Sequence, residues 1–145
     1  MTSRVVLLCL MMLVCQIAHV FEEIWGRFWL MNTFHSLGLF LLANWVLFCI
    51  PVAFFYFVLC ENRWAYHLSM IYAGIMILNG LGHNVGAVVT GRYFDGFAGG
   101  YTGIAFVLIG PVMIYYPRRE IPNNRPNCDS RTVALIEEEG RKRRD

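Results

Sequence analysis

Four stretches of the 145-residue chain are long and apolar enough to cross a lipid bilayer as helices. A helix that rises about 1.5 Å per residue needs about 20 residues to span the hydrocarbon core. Apolar residues run on without alternating, which favours helices over the strands of a β-barrel. The first stretch also fits a signal peptide cleaved after Ala18, although the apolar run resumes beyond it. The predicted spans are Val5–Trp25, Leu37–Cys60, His67–Val89 and Phe97–Tyr116.

Charged residues are few and unevenly placed, which argues against a water-soluble domain. They make up 15% of the chain, where about 25% is usual for soluble domains. Of the 22 charges (12 basic plus 10 acidic), eight lie in residues 1–116 and fourteen in residues 117–145. We therefore predict an all-α membrane protein. Residues 1–116 form a bundle of four transmembrane helices with short loops, and residues 117–145 form a polar, largely disordered tail.

The basic residues predict how the bundle is oriented. With four spans, both termini lie on the same side of the membrane as the loop of residues 61–66. That side carries Arg4, Arg63 and the eight basic residues of the tail, whereas the opposite side carries only Arg27 and Arg92. Because cytoplasmic loops are enriched in Lys and Arg, both termini are predicted to be cytoplasmic. The membrane is expected to be the plasma membrane, or the ER membrane in a eukaryote.

Three titratable residues stand close together in the first span, where charge is costly. His19, Glu22 and Glu23 are spaced i, i+3 and i+4, so a helix places them on one face. An acidic side chain near the centre of a span costs about 2.5–3.5 kcal/mol on insertion scales. Two adjacent carboxylates also repel each other unless a cation or a proton is shared between them. This combination favours a functional site over simple packing.

Polar residues of the other spans reach the same depth. Asn79 and His83 share one face of the third span at i and i+4. His19 and His83 each lie six residues before the end of their span, about 9 Å below the same boundary. Asn44 and Thr102 come to a similar level in the second and fourth spans. The sequence therefore predicts one polar layer in the non-cytoplasmic leaflet, formed by His19, Glu22, Glu23, Asn44, Asn79, His83 and Thr102.

Two chemistries fit this layer, and the residues alone favour neither. In the first, His19, His83 and one or both of Glu22 and Glu23 bind a divalent transition metal, zinc or iron, which activates a water molecule. In the second, no metal is needed. One glutamate acts as the acid, His83 or His19 relays the proton, and Asn79 orients the relay.

The expected function is that of a membrane enzyme acting on a lipid or another apolar small molecule. The alternative is a non-catalytic binding or structural protein whose polar layer holds a metal, a lipid or a partner helix. The sequence has no phosphate-binding glycine loop and no basic–aromatic pattern typical of nucleic-acid binding.

Other residues predict how the helices pack and end. Gly82 and Gly86 have the small-xxx-small spacing that lets membrane helices approach closely. The fourth span is predicted to stop at Tyr116, before Pro117. Arg92, in the turn before that span, is expected to lie within reach of Glu22 or Glu23, or of the anionic head group of a substrate.

The string His19-Val20-Phe21-Glu22-Glu23 resembles the motif of the HXXEE family of small integral membrane proteins. The segment Asn79-Gly80-Leu81-Gly82-His83 is similar to the later histidine segment of that family. Gly91-Arg92-Tyr93-Phe94-Asp95-Gly96 resembles its Arg-Tyr-x-Pro-Gly turn, with Asp95 in place of the proline. The resemblance covers residues 8–116. It implies a multi-span membrane protein with a His/Glu site, and it specifies no reaction.

Overall fold

The structure, a computed structural model, describes residues 3–34, 36–60 and 62–120. These residues form helices and contain no strand. Four of the helices are long and apolar enough to cross a membrane, which confirms the predicted fold class. In chain order the helices are α1 (Ser3–Trp25), the short α2 (Leu30–Thr33), α3 (Leu37–Leu59), α4 (Arg63–Thr90) and α5 (Gly100–Glu120).

Capping residues and a turn shift two of the predicted helix starts. α4 begins at Arg63, four residues before the predicted His67. Its N-terminus is capped by Asn62, whose Oδ1 accepts a hydrogen bond of 3.0 Å from the backbone N–H of Trp64. α5 begins later than predicted, at Gly100, because a turn precedes it.

The predicted stop before Pro117 is wrong. α5 continues through this proline to Glu120. A proline inside a helix removes one backbone hydrogen bond, and the side chain of Pro117 is fully buried against the rest of the bundle. The predicted polar tail therefore begins inside α5, and residues 121–145 lie outside the described part of the chain.

The ends of the helices are arranged as four alternating spans require. At one end of the bundle the Arg4 guanidinium lies 5.8 Å from the centre of the Tyr116 ring, so the start of α1 meets the end of α5. At the other end Glu22 contacts Thr102, near the start of α5. α1 and α5 are therefore antiparallel. That the end carrying Arg4 faces the cytoplasm stays a prediction.

The outer surface of the bundle is largely apolar, whereas His19, Glu22, Glu23 and His83 are buried. Large apolar side chains are exposed on all four long helices, among them Leu78, Val88 and Leu108. By contrast His19 and Glu23 are buried, with 3% and 6% of their surface exposed. A water-soluble protein keeps charged groups outside, so this distribution is that of a protein surrounded by lipid.

α4 and α5 form the most closely packed pair of helices, and two glycines make this possible. A Cβ added at Gly80 would lie 2.3 Å from the carbonyl oxygen of Gly103. The predicted pair Gly82 and Gly86 does not have this role. A Cβ at Gly82 would meet no atom within 4 Å, and Gly86 instead packs against the ring of Phe97. The helix–helix contact therefore lies on a different face of α4 from the one predicted.

The turn before α5 is tied to the loop that follows α1. The N–H of Asp95 donates to the carbonyl of Gly26 at 2.8 Å, and the N–H of Trp29 donates to the carbonyl of Gly96 at 2.9 Å. Asp95 lies in the left-handed region, with φ 58°. A proline, whose φ is fixed near about −65°, cannot occupy that position without a change of the turn.

We predict that Gly80→Ala lowers the free energy of unfolding by about 1–3 kcal/mol, because the added methyl group would force α4 and α5 apart. Gly82→Ala is the matched control on the same helix, and it should leave stability unchanged or slightly higher. The measurement is SDS-induced unfolding in mixed micelles, followed by circular dichroism. Equal effects of the two substitutions would contradict the assigned helix–helix contact.

Candidate functional site

The centre of the polar layer is a carboxylate that lies between two imidazoles. Glu23 Oε1 is 3.5 Å from Nε2 of His19 and 3.3 Å from Nε2 of His83. All three side chains are buried, and their ligand atoms lie within 4.8 Å of one another. The group is able to hold a metal ion by its donor set and spacing.

Two parallel helices bring these residues together. His19 and Glu23 lie one turn apart on α1, and His83 comes from α4. The two imidazoles meet edge to face, with their ring centres 4.7 Å apart. Phe106 packs against His19 at 5.1 Å, and Phe28 packs against His83 at 4.5 Å between ring centres. These aromatic contacts restrict the orientation of both imidazoles.

The other nitrogen of His19 is the start of a hydrogen-bond chain. Nδ1 lies 2.8 Å from the hydroxyl oxygen of Thr102. That hydroxyl has one proton, which it donates to Glu22 Oε2 at 2.5 Å, so it accepts from Nδ1–H. The proton of neutral His19 is thereby assigned to Nδ1. Nε2 then carries a lone pair, which faces the side-chain amide of Asn79 at 3.0 Å.

Glu22 points away from this group and caps α5. Its Oε1 accepts from the backbone N–H of Tyr101 at 2.9 Å, and its Oε2 accepts from that of Thr102 at 2.8 Å. The Tyr93 hydroxyl also donates to Oε1. The first N–H groups of a helix lack partners within the helix, and they attract anions. Glu22 therefore satisfies the amino end of α5, and the prediction of Glu22 as a metal ligand is not supported by its position.

Two further predicted positions differ in the structure. Arg92, expected to reach Glu22 or Glu23, has an exposed side chain; Glu22 is held by the α5 backbone instead. Asn44, expected in the polar layer, donates to the carbonyl of Phe40 on its own helix at 3.0 Å. It lies beside the layer without joining its hydrogen bonds.

Gly99 is a site residue that sequence reasoning missed. Its φ is 114°, a conformation that side chains rarely allow. A Cβ there would lie 2.7 Å from Cε1 of His19 and 2.8 Å from Nδ1 of His83. The backbone thus passes directly against both imidazoles. Nδ1 of His83 is buried and has no hydrogen-bond partner among the described residues. The adjacent glycines Gly99 and Gly100, near the start of the predicted fourth span, were the only signal in the sequence for this close approach.

An apolar cavity of about 560 Å³ opens beside the group, between α1, α3 and α4. His19, Glu23 and Asn79 lie at one end of it, and Gln16 and Tyr72 are further polar residues along its wall. Most other lining side chains are apolar, among them Phe34, Leu47, Ile50, Phe54, Ile71 and Ile75. Volumes of about 300–1,000 Å³ are typical of small-molecule sites.

Comparisons with protein-family models, with curated proteins and with solved structures found no match for the chain. The resemblance to the HXXEE family therefore stays a prediction, and the function must be argued from the site.

The two adjacent glutamates predict different mutant effects. Glu22→Gln should lower the free energy of unfolding by about 2 kcal/mol, because its amide NH₂ would face the N–H donors of α5 and the charge at the helix end would be lost. Glu23→Gln is the matched control and should cost less, since its contacts are longer and fewer. SDS titration of both variants tests the ranking. A reversed ranking would contradict the capping role of Glu22.

Proposed function

We propose that the protein is a metal-dependent membrane enzyme. Its centre is His19, Glu23 and His83, and its substrate is an apolar molecule held in the adjoining cavity. The observation that carries the proposal is the position of Glu23 Oε1 at 3.5 and 3.3 Å from the two imidazole Nε2 atoms.

These distances agree with the edges of a metal coordination tetrahedron. Zinc–nitrogen and zinc–oxygen bonds are about 2.0–2.2 Å long. Two ligands at the tetrahedral angle are then separated by about 3.3–3.6 Å. The same distances are long for N–H···O hydrogen bonds, which are usually about 2.7–3.2 Å. These two separations therefore suit an ion held between the three groups, whose ligand atoms all lie within 4.8 Å of one another.

The surroundings of His19 resemble those of a metal-bound histidine. Such histidines donate their second N–H to an oriented acceptor, which fixes the ring and the tautomer. Nδ1–H of His19 donates to Thr102, which in turn donates to Glu22. Glu22 thus acts indirectly on the metal site, because it orients His19 through Thr102. Asn79 Nδ2 hydrogen-bonds Nε2 of His19 at 3.0 Å. A bound ion would take the lone pair of that nitrogen in its place, and the Asn79 amide would then be available to hydrogen-bond a water or substrate beside the ion.

Two histidines and one glutamate form a donor set used by catalytic zinc sites, which keep a further position for water or substrate. His19 and Glu23 line the cavity, so that position is accessible to a molecule bound there. A bound ion would polarise a substrate oxygen or lower the pKa of a bound water. The apolar walls would hold the substrate and keep bulk water away from the centre.

A second candidate is metal-free acid–base chemistry with the same residues. It is favoured by the hydrogen-bond chain from His19 through Thr102 to Glu22, to which Tyr93 also donates. Such a chain connects the buried centre with the turn before α5. In this version Glu23 is the acid or base, and His19 or His83 is its partner.

Metal content separates the two candidates. The protein is produced with added zinc and purified with an affinity tag that contains no histidine. We predict that it holds about one zinc ion per chain, measured by elemental mass spectrometry. Glu23→Gln and His83→Ala should each retain less than about one-tenth of it, because each removes a ligand. His67→Ala, which removes a histidine elsewhere on α4, is the matched control and should retain the metal.

A metal-free wild-type protein would overturn the metal-dependent proposal and leave the acid–base candidate. Equal loss of metal in the His67→Ala control would contradict the assigned ligand set.

Catalysis is tested by the lipids of cells that produce the protein. Wild-type protein should deplete one apolar species and accumulate a product, relative to cells producing Glu23→Gln at equal membrane abundance. Quantitative lipid mass spectrometry is the measurement. If both proteins leave every apolar species equal while wild type holds its metal, the site is a binding site rather than an enzyme centre.

A further inference from the structure

The cavity is long as well as apolar. On α4 its wall extends from Leu68 to Asn79. Eleven residues of helix correspond to about 16 Å, which is more than half of a hydrocarbon core of about 30 Å. A molecule that fills the cavity is therefore elongated along the helices, from the level of Glu23 towards the middle of the membrane.

A second space lies beside this cavity, on the outer side of the bundle. A groove of about 190 Å³ lies between α1 and α3. Gln16, Val20 and Asn44 line both the groove and the cavity, so they stand at the junction of the two. The outer rim of the groove includes the exposed rings of Phe21 and Trp45. Since these rings are exposed, the groove opens to the outside of the bundle, and Gln16, Val20 and Asn44 lie between it and the cavity.

The junction has one hydrogen-bond donor and one acceptor to spare. Gln16 accepts from the Tyr72 hydroxyl through Oε1, and its NH₂ group donates to no described residue. Asn44 donates from Nδ2 to the carbonyl of Phe40, and its Oδ1 accepts from none of the described groups. Leaving such groups without partners in an apolar environment is unfavourable. A hydroxyl group is complementary to both, because it donates one hydrogen bond and accepts others.

We propose that the cavity binds an elongated apolar alcohol that enters from the bilayer between α1 and α3. Its hydroxyl is held by Gln16 and Asn44 at the junction, and its apolar body lies in the cavity. This assignment names the substrate class of the proposed function. Binding of the alcohol does not depend on that function, whereas its reaction at Glu23 does.

Photolabelling tests the ligand directly. The probes are a sixteen-carbon primary alcohol with a diazirine in the chain and the matching hydrocarbon without the hydroxyl. The full-length protein is labelled in phosphatidylcholine nanodiscs, and the labelled peptides are mapped by mass spectrometry. We expect the alcohol to label the cavity-lining parts of α3 and α4 about tenfold more than the hydrocarbon does, given two hydrogen bonds to the hydroxyl.

Two alanines of α3 provide the matched pair of variants. Ala43 lines the cavity, whereas Ala53 is exposed on the same helix and does not line it. Ala43→Phe should abolish the labelling, and Ala53→Phe should retain it. Gln16→Leu and Asn44→Leu should remove the preference for the alcohol and leave labelling by the hydrocarbon unchanged. This second readout does not depend on filling the cavity.

Equal labelling of wild-type protein by the two probes would overturn the proposal, as would labelling that is the same in Ala43→Phe and Ala53→Phe. Metal content measured on the same samples separates this proposal from the proposed function. Labelling as predicted in a protein that holds no metal supports the ligand and contradicts the metal centre. A full metal complement without preferential labelling overturns the ligand alone.

Discussion

No water is present in the hydrocarbon core, so every polar group there needs a hydrogen-bond partner within the protein. The arrangement of this bundle depends on how the Glu22 carboxylate meets that need. It accepts hydrogen bonds from two backbone N–H groups at the start of α5, from Thr102 Oγ1 and from Tyr93. A buried anion and a helix end, each costly alone, thereby stabilise each other. The same contact fixes α5 against α1 and places Thr102 on His19.

The neighbouring glutamate is free for a different role because one residue of α-helix corresponds to a rotation of about 100°. Glu22 faces α5, whereas Glu23 faces α4 and the cavity. Two adjacent carboxylates thus avoid sharing one environment, and the four donors around Glu22 reduce the expected repulsion between them. In the proposed function the chemistry belongs to Glu23 and the two imidazoles, and Glu22 supports them structurally.

The number and approximate bounds of the four long helices could be predicted from the sequence, because the bilayer sets both the length of a span and where charged residues are tolerated. The depth of polar residues within their spans correctly grouped His19, Asn79 and His83, since depth is a simple function of residue number. What depth cannot provide is the rotation of each helix about its axis, which tertiary packing sets. For this reason the sequence did not distinguish Glu22 from Glu23, or the Gly80 contact from Gly82.

The cavity was also beyond sequence reasoning. α3 buries few of its own side chains, chiefly Phe40, Pro51 and Val58, and the space it leaves beside α1 and α4 reflects the shapes of many side chains together. The residue types that line this space, mainly Phe, Leu and Ile, also face the lipid elsewhere on the bundle. A pattern of hydrophobicity therefore cannot separate a lipid-facing wall from a binding site, whereas the buried His/Glu group at its end can indicate one.

The central claim is that His19, Glu23 and His83 hold one ion, and X-ray absorption at the zinc edge of zinc-loaded protein tests it most directly. The account predicts a four-coordinate site with nitrogen and oxygen neighbours at about 2.0–2.2 Å and the outer-shell scattering of two imidazoles. Sulfur neighbours at about 2.3 Å, or the absence of imidazole scattering, would contradict it.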